Sequence, residues 1–169
     1  MRAASYVAIV LVAFSLTPAT AAETAVDRAK EDEIVAVPKG DPDMAAAFRQ
    51  ARETLKTFLD LARTPRSTIT SMAVKVAVRD AGETEYFWIS PFSEQDGRFV
   101  GKINNTPRSV HNIKLGQTIT FKQSDVVDWL YRENGKMFGN FTACALLKHV
   151  PPSEMQAFKR EYGLNCESI

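Results

Sequence analysis

The stretch MAVKVAVRDAGETEYFWI, residues 72–89, decides the fold of this chain. From Met72 to Arg79 the larger apolar residues alternate with small or charged ones, which is the period expected of a strand with one buried face. Asp80-Ala81-Gly82 supplies a tight turn, and an aromatic-rich run from Glu85 to Ile89 follows it. The sequence therefore predicts a β-hairpin.

A helix is predicted before this hairpin. Asp41-Pro42 is typical of a helix start, because aspartate caps free backbone N–H groups and proline is tolerated in the first turn. Apolar residues then recur at spacings of three and four, at Met44, Phe48, Ala51, Leu55, Phe58, Leu59 and Ala62. We expect an amphipathic helix that ends at Pro65.

Further strands and two helices are predicted after the hairpin. Strand-like alternation involves Phe99 and Ile103, then Ile119 and Phe121, then Val127, Trp129 and Tyr131. Residues 141–148 are rich in alanine and leucine, and Pro151-Pro152-Ser153 begins a last helix that runs to Gly163. The sequence predicts an α+β fold: a mostly antiparallel sheet with an N-terminal amphipathic helix and two C-terminal helices packed on it.

The N-terminus has the pattern of an export signal. Arg2 precedes an almost wholly apolar run from Ala3 to Leu16, and Ala19-Thr20-Ala21 offers a small-residue cleavage site. We predict a signal peptide over residues 1–21, with cleavage after Ala21 or Ala22, and a periplasmic or secreted protein. Residues 22–33 are predicted to be a flexible leader, and residues 34–169 a single domain whose first residues, 34–37, are β-prone.

The charge balance narrows the partners that we expect. The chain has 21 Lys and Arg against 20 Asp and Glu, so cleavage after Ala21, which removes Arg2, leaves a net charge of zero. Nucleic acid is not an expected partner without an excess of positive charge, and neither is a stable membrane anchor. An envelope or extracellular protein, or a small ligand, is the expected partner, and the oligomeric state is open.

The order of several motifs resembles a known family. The motifs are DPDM at 41–44, EYFW at 85–88, GKINN at 101–105, DWLY at 128–131 and GKMFGNFT at 135–142. Together they resemble the YegJ-like family of bacterial domains of unknown function (domain of unknown function 2314), over roughly residues 34–163. The resemblance implies a fold and a bacterial origin, and no activity.

The two cysteines, Cys144 and Cys166, are a candidate disulfide, because export would take them into a compartment where disulfides persist. Two unpaired thiols are the alternative. In the YegJ-like family a basic residue often stands where this chain has Cys144, and this departure favours a bridge peculiar to this chain.

The glycine-rich segment around Lys136 permits two interpretations. Gly135 and Gly139 flank this lysine just before a predicted helix, where free N–H groups could hold a phosphate or carboxylate. The spacing is not that of a nucleotide P-loop, which needs Ser or Thr after the lysine. A hairpin turn at Asn134-Gly135 is the favoured interpretation.

Aromatic and amide side chains supply the other candidate binding residues. Tyr86 and Trp88 share one face of their strand, as do Trp129 and Tyr131, so neighbouring strands would form an aromatic patch for a peptide, a glycan or a protein. Core packing is the favoured alternative. Asn104-Asn105 either forms a turn or contacts a ligand. The candidate binding residues are thus Trp88, Asn104, Asn105, Trp129, Tyr131 and Lys136.

Catalytic patterns are weak in this sequence. His111 and His149 are far apart and no paired-ligand motif exists, so we expect no metal and no cofactor. Ser109 or Ser124 with His111 and Asp128 would make a nucleophilic triad only if folding assembled it. The leading hypothesis is an exported binding or interaction module. The alternative is a hydrolase-like enzyme using His111 and Asp128.

Overall fold

The computed structural model describes residues 40–166 of the chain. The predicted signal peptide, the leader and the β-prone residues 34–37 lie outside this range. Within it, no helix is both long enough and apolar enough to cross a membrane.

Helix α1 spans Pro42–Arg63 and begins as predicted. An Asp41 Oδ1 atom accepts the backbone N–H of Met44 at 2.7 Å, which satisfies a donor that the helix itself leaves free. Of the side chains buried along this helix, Ala51, Leu55, Phe58 and Leu59 belong to the predicted stripe, and Ala47 was not predicted.

Within residues 40–166 the sheet has six strands, and every pair of neighbours is antiparallel. The strands are β1 (Ile69–Asp80), β2 (Glu83–Gln95), β3 (Arg98–Ile103), β4 (Thr118–Phe121), β5 (Val126–Glu133) and β6 (Lys136–Gly139). Their order across the sheet is β4-β3-β2-β1-β5-β6. The predicted hairpin is confirmed as β1 and β2, with Val76 opposite Phe87.

One face of the sheet packs against α1. The core formed there includes Val74, Val76, Phe87, Ile89 and Trp129. We call the opposite side, over β1 to β4, the open face. Its exposed or partly exposed side chains include Lys75, Arg79, Trp88, Arg98, Val100, Lys102, Thr118 and Thr120.

The predicted C-terminal helices are α2 (Phe141–Leu146), which continues as a short 3-10 turn, and α3 (Pro152–Tyr162). They form a second, smaller apolar cluster at the β6 end of the sheet. A disulfide joins Cys144 on α2 to Cys166, so the predicted bridge is present. Beside it, the N–H of Met137 donates to the carbonyl of Gly163 at 2.8 Å, which covers the edge of β6.

Candidate functional site

The strongest candidate site is a lysine on an aromatic ring at the centre of the open face. Lys75 on β1 lies directly opposite Trp88 on β2, and its Nζ is 4.4 Å from the centre of the Trp88 ring. The same Nζ donates to the Thr142 hydroxyl at 2.6 Å. An ammonium over an indole is attracted by the negative face of the ring, so Trp88 and Thr142 together fix the position of the charge.

Asp128 lies next to this lysine and is completely buried. Its carboxylate accepts the backbone N–H groups of Trp129, Phe141 and Thr142 and also the Thr142 hydroxyl, at 2.6 to 3.2 Å. Since Phe141 and Thr142 are the first residues of α2, the carboxylate attaches that helix to β5. Asp128 is therefore a structural anchor whose oxygens are already occupied.

The pKa values of the two charged groups shift in opposite directions. Burial lowers the pKa of the Lys75 ammonium, which the Asp128 carboxylate partly offsets. Burial raises the pKa of the Asp128 carboxyl, and Lys75 and the hydrogen bonds from Thr142 and Trp129 oppose that change. The Thr142 hydroxyl connects them, because it donates to Asp128 and accepts from Lys75.

The predicted asparagine pair lies beside Trp88. The Asn105 side-chain oxygen accepts the Trp88 N–H at 2.9 Å, and the Asn104 N–H donates to the Trp88 carbonyl at 2.9 Å. These two bonds satisfy the backbone groups of Trp88 at the edge of β2, just beyond the point where β3 ends. Asn105 is buried and fixes the backbone, as expected of a turn residue, whereas Asn104 is exposed next to the candidate site.

The two aromatic pairs do not form a shared patch, because β1 separates β2 from β5. Trp129 is buried on the α1 face, where its Nε1–H donates to the Ala51 carbonyl at 3.1 Å. Tyr131 stacks beside it, with ring centres 6.1 Å apart. The favoured alternative, core packing, is confirmed for this pair, and Trp88 alone of the two tryptophans lies on the open face.

The glycine segment is a turn, as the favoured interpretation had it. Asn134 and Gly135 both have positive φ, at 50° and 76°, and join β5 to β6. Gly139 also has a positive φ, and a Cβ there would lie 2.2 Å from the Trp129 carbonyl oxygen. Lys136 is exposed opposite Glu133 on the α1 side of the sheet, away from Trp88.

The residues of the hydrolase hypothesis are not brought together. The His111 side chain is 84% exposed, and its Nδ1 atom lies 4.0 Å from an Asp80 carboxylate oxygen. Ser109 donates to the buried Glu85 carboxylate instead of facing a histidine. Asp128 has no contact with His111, because its oxygens face α2. The structure thus assembles no triad from these residues.

Among residues 40–166, folding brings together one group of side chains of the types that bind metals, which the sequence spacing did not predict. Oxygens of Asp41 and Asp43 and a ring nitrogen of His149 all lie within 4.8 Å of one another. Asp41 already caps α1, and Lys148 donates to Asp43 at 2.7 Å. Since Asp41 already caps the helix and Asp43 already pairs with Lys148, we interpret this set as polar contacts that join α1 to the turn after α2.

A groove of about 490 Å³ lies between the end of α1 and the turn joining β2 to β3. Leu59, Phe92 and Phe99 contribute apolar lining. Three charged residues line the groove, Arg63, Glu94 and Asp96, and the first two pair with each other at 2.8 Å. Because Arg63 and Glu94 already neutralise each other, the open face is a stronger candidate binding site than this groove.

Sequence analysis missed Lys75 and Thr142. The alternation around Lys75 is the ordinary pattern of a half-exposed strand, so it marks no special role. Thr142 is 67 positions away from Lys75, and only the packing of α2 against β1 and β5 brings its hydroxyl to the ammonium.

Comparisons with known proteins identify relatives without assigned activities. A family model described as "Uncharacterized protein conserved in bacteria (DUF2314)" matches residues 41–166. The chain is 32% identical over 111 residues to "Uncharacterized protein YegJ" of Escherichia coli (strain K12), which covers 66% of this chain and 71% of that protein. It is 28% identical over 138 residues to a putative ankyrin repeat protein of Neisseria meningitidis serogroup B, covering 76% of this chain and 54% of the relative. No solved structure matches.

Proposed function

This chain belongs to the DUF2314 family of uncharacterized bacterial proteins, and we propose that it acts as an exported binding module whose ligand site is the open face around Lys75 and Trp88. Two features support export. The N-terminal sequence has the pattern of a signal peptide. The bridge between Cys144 and Cys166 is of a kind that persists in oxidising compartments.

The placement of the Lys75 ammonium carries the binding proposal. An ammonium has three N–H donors, and the contacts among residues 40–166 give it one hydrogen bond, to Thr142. The Trp88 ring fixes its position further. A charge that is already held in place costs less entropy to use in binding, so this group is suited to an anionic part of a ligand, with Trp88 supplying apolar contact.

The hydrolase alternative lacks comparable support. It requires His111 to act near Asp128, and the exposed histidine and the buried carboxylate have no contact. A general base must lie within hydrogen-bond reach of the proton it takes or of the group it activates. We therefore retain the binding module as the proposed function.

Export is tested by expressing the full chain in a Gram-negative host and separating periplasm from cytoplasm. We expect the periplasmic fraction to contain a form shortened by 21 or 22 residues, measured by mass spectrometry, with Cys144 and Cys166 disulfide-bonded. Retention of the unprocessed chain in the cytoplasm would contradict export.

Binding is tested with a panel of defined oligosaccharides, peptides and small organic acids, read out as changes in melting temperature. We expect compounds that stabilise the wild type to lose their effect on Trp88→Ala and to keep it on Leu115→Ala, an exposed apolar control outside the open face. If every active compound stabilises Trp88→Ala as well as the wild type, this face is not the ligand site.

A further inference from the structure

The strands of this protein separate positive from negative charge. Residues directly opposite each other on neighbouring strands share a face, so the strand register places each charged side chain on one side of the sheet. The acidic strand residues on the α1 side are Asp80, Glu83, Glu85, Glu94 and Glu133. The basic residues on the other side are Lys75, Arg79, Arg98, Lys102 and Arg132. The two strand residues that break this pattern are Asp128, which is buried, and Lys136.

The buried Asp128 carboxylate partly offsets the charge of Lys75, but the exposed basic residues of the open face have no ion-pair partners among residues 40–166. Arg79, Arg98 and Lys102 are exposed, and none of them forms an ion pair with another residue in the range 40–166. On the α1 side, by contrast, Arg63 and Arg66 each pair with a carboxylate at 2.8 Å. A face that collects unpaired charge of one sign raises the local concentration of oppositely charged ligands.

The positive charges are spread over a distance that suits an extended ligand. Lys75 on β1 and Lys102 on β3 are separated by two strand spacings, about 10 Å. Arg98 lies four residues from Lys102 along β3, about 13 Å away. Trp88 on β2 lies between the lysine-bearing strands. A chain with repeated anionic groups contacts several of these cations at once, which a single small anion cannot do.

We propose that the open face binds an acidic polysaccharide, an inference that rests on the ligand site proposed above. The partly exposed Trp88 side chain, beside the Lys75 ammonium, offers apolar contact to a sugar ring, and Lys75 and Lys102 contact its anionic groups. Exposed hydroxyls of Thr118 and Thr120 on the same face match an oxygen-rich ligand. The face carries few large apolar side chains to insert into a bilayer, so an anionic membrane surface fits it less well.

The test measures binding of polygalacturonate oligomers, which carry one carboxylate per sugar, by calorimetry at low and high salt. Neutral dextran oligomers, poly-glutamate and vesicles containing an anionic phospholipid serve as comparisons. We expect polygalacturonate to bind best, more weakly as salt screens the charges, and dextran not to bind.

A pair of triple variants isolates the open face from overall charge. Arg79→Gln with Arg98→Gln and Lys102→Gln removes three positive charges from the open face. The matched control removes three exposed positive charges elsewhere, in Arg49→Gln with Arg52→Gln and Lys136→Gln. Since each exposed ion pair contributes about twofold in affinity, we expect roughly tenfold weaker binding in the first variant and little change in the control.

The possible outcomes separate this inference from the proposed function. Equal weakening in both triple variants, or tighter binding to poly-glutamate or vesicles than to polygalacturonate, would overturn the acidic polysaccharide. A neutral ligand that requires Trp88 and tolerates the open-face triple variant would also overturn it, yet would uphold the binding module. If no compound depends on Trp88, both ideas fail.

Discussion

Replacing Asp128 with asparagine tests whether a buried carboxylate attaches α2 to the sheet. The two carboxylate oxygens accept bonds from the N–H groups of Trp129, Phe141 and Thr142 and from the Thr142 hydroxyl. An asparagine keeps one of these oxygens and presents an amino group in place of the other. At least one donor of Thr142 or Phe141 then faces another donor instead of an acceptor.

The expected loss of stability follows from these contacts. A hydrogen bond to a charged acceptor contributes about 1.5–3 kcal/mol, and a buried donor left without an acceptor costs about 1–3 kcal/mol. The Lys75 side chain, which loses its counter-ion, is partly exposed, and water relieves part of the cost. We therefore expect Asp128→Asn to lower the free energy of unfolding by about 3 kcal/mol at neutral pH.

Urea unfolding, followed by circular dichroism, measures this change. Asp125→Asn is the matched control, because its carboxylate accepts the Lys122 N–H at 2.8 Å at an exposed turn, where we expect a loss of about 1 kcal/mol or less. Combining Asp128→Asn with Lys75→Met should cost less than the sum of the two single changes, since both remove the same interaction. If Asp128→Asn is no more destabilising than the control, the anchoring role is refuted.

Three further changes have defined outcomes. Gly139→Ala should lower the free energy of unfolding, measured in urea, by at least about 2 kcal/mol, because the added Cβ meets a backbone oxygen of β5 and the residue has a positive φ. The control Gly82→Ala also has a positive φ but has open space around the added Cβ, and it should cost about 1 kcal/mol. Similar losses in the two variants would contradict the steric argument. Cys144→Ser with Cys166→Ser should cost about 3 kcal/mol from loop entropy, and wild type with reductant should match it. Despite burial, hydrogen bonds from backbone N–H groups hold the pKa of the Glu85 carboxyl below its usual value. The stability that Glu85 contributes is therefore present above the ordinary carboxyl pKa and is lost as pH falls towards the lower pKa of the folded state. Glu85→Gln should make the free energy of unfolding depend less steeply on acid pH, and an unchanged slope would contradict this role of Glu85.

Local patterns predicted the elements of this fold. The Asp41-Pro42 start and the spacing of apolar residues in α1 depend on neighbours within one or two helical turns. The β1–β2 hairpin likewise follows from alternation and a tight turn, and the Asn134-Gly135 turn from the ease with which these residues adopt positive φ. In each of these cases the residues that decide the structure are close together in the chain.

The candidate site was predicted only in part. Trp88 and the asparagine pair were named from sequence, and they do lie together. Trp129 was grouped with Trp88 because each belongs to an aromatic pair two residues apart on its strand. That spacing shows that the two members of a pair share a face, but it does not show whether pairs on different strands lie on the same face of the sheet. The net charge of the chain also did not predict a cationic face. It is a sum over acidic and basic residues, and folding places most of those that lie on the strands on opposite sides of the sheet.

The sequence by itself determined the period of each element, the turns between strands and the alternation that puts Lys75 and Arg79 on one side of β1 and Asp80 on the other. Only the tertiary structure decided that β1 lies between β2 and β5, that the Thr142 hydroxyl reaches Lys75, and that the basic residues of separate strands share a face. The physical reason is the distance along the chain between the residues that interact. Alternation and turns are set by contacts between near neighbours, whereas strand order and register come from pairing between distant segments, whose favourable energy depends on the whole core.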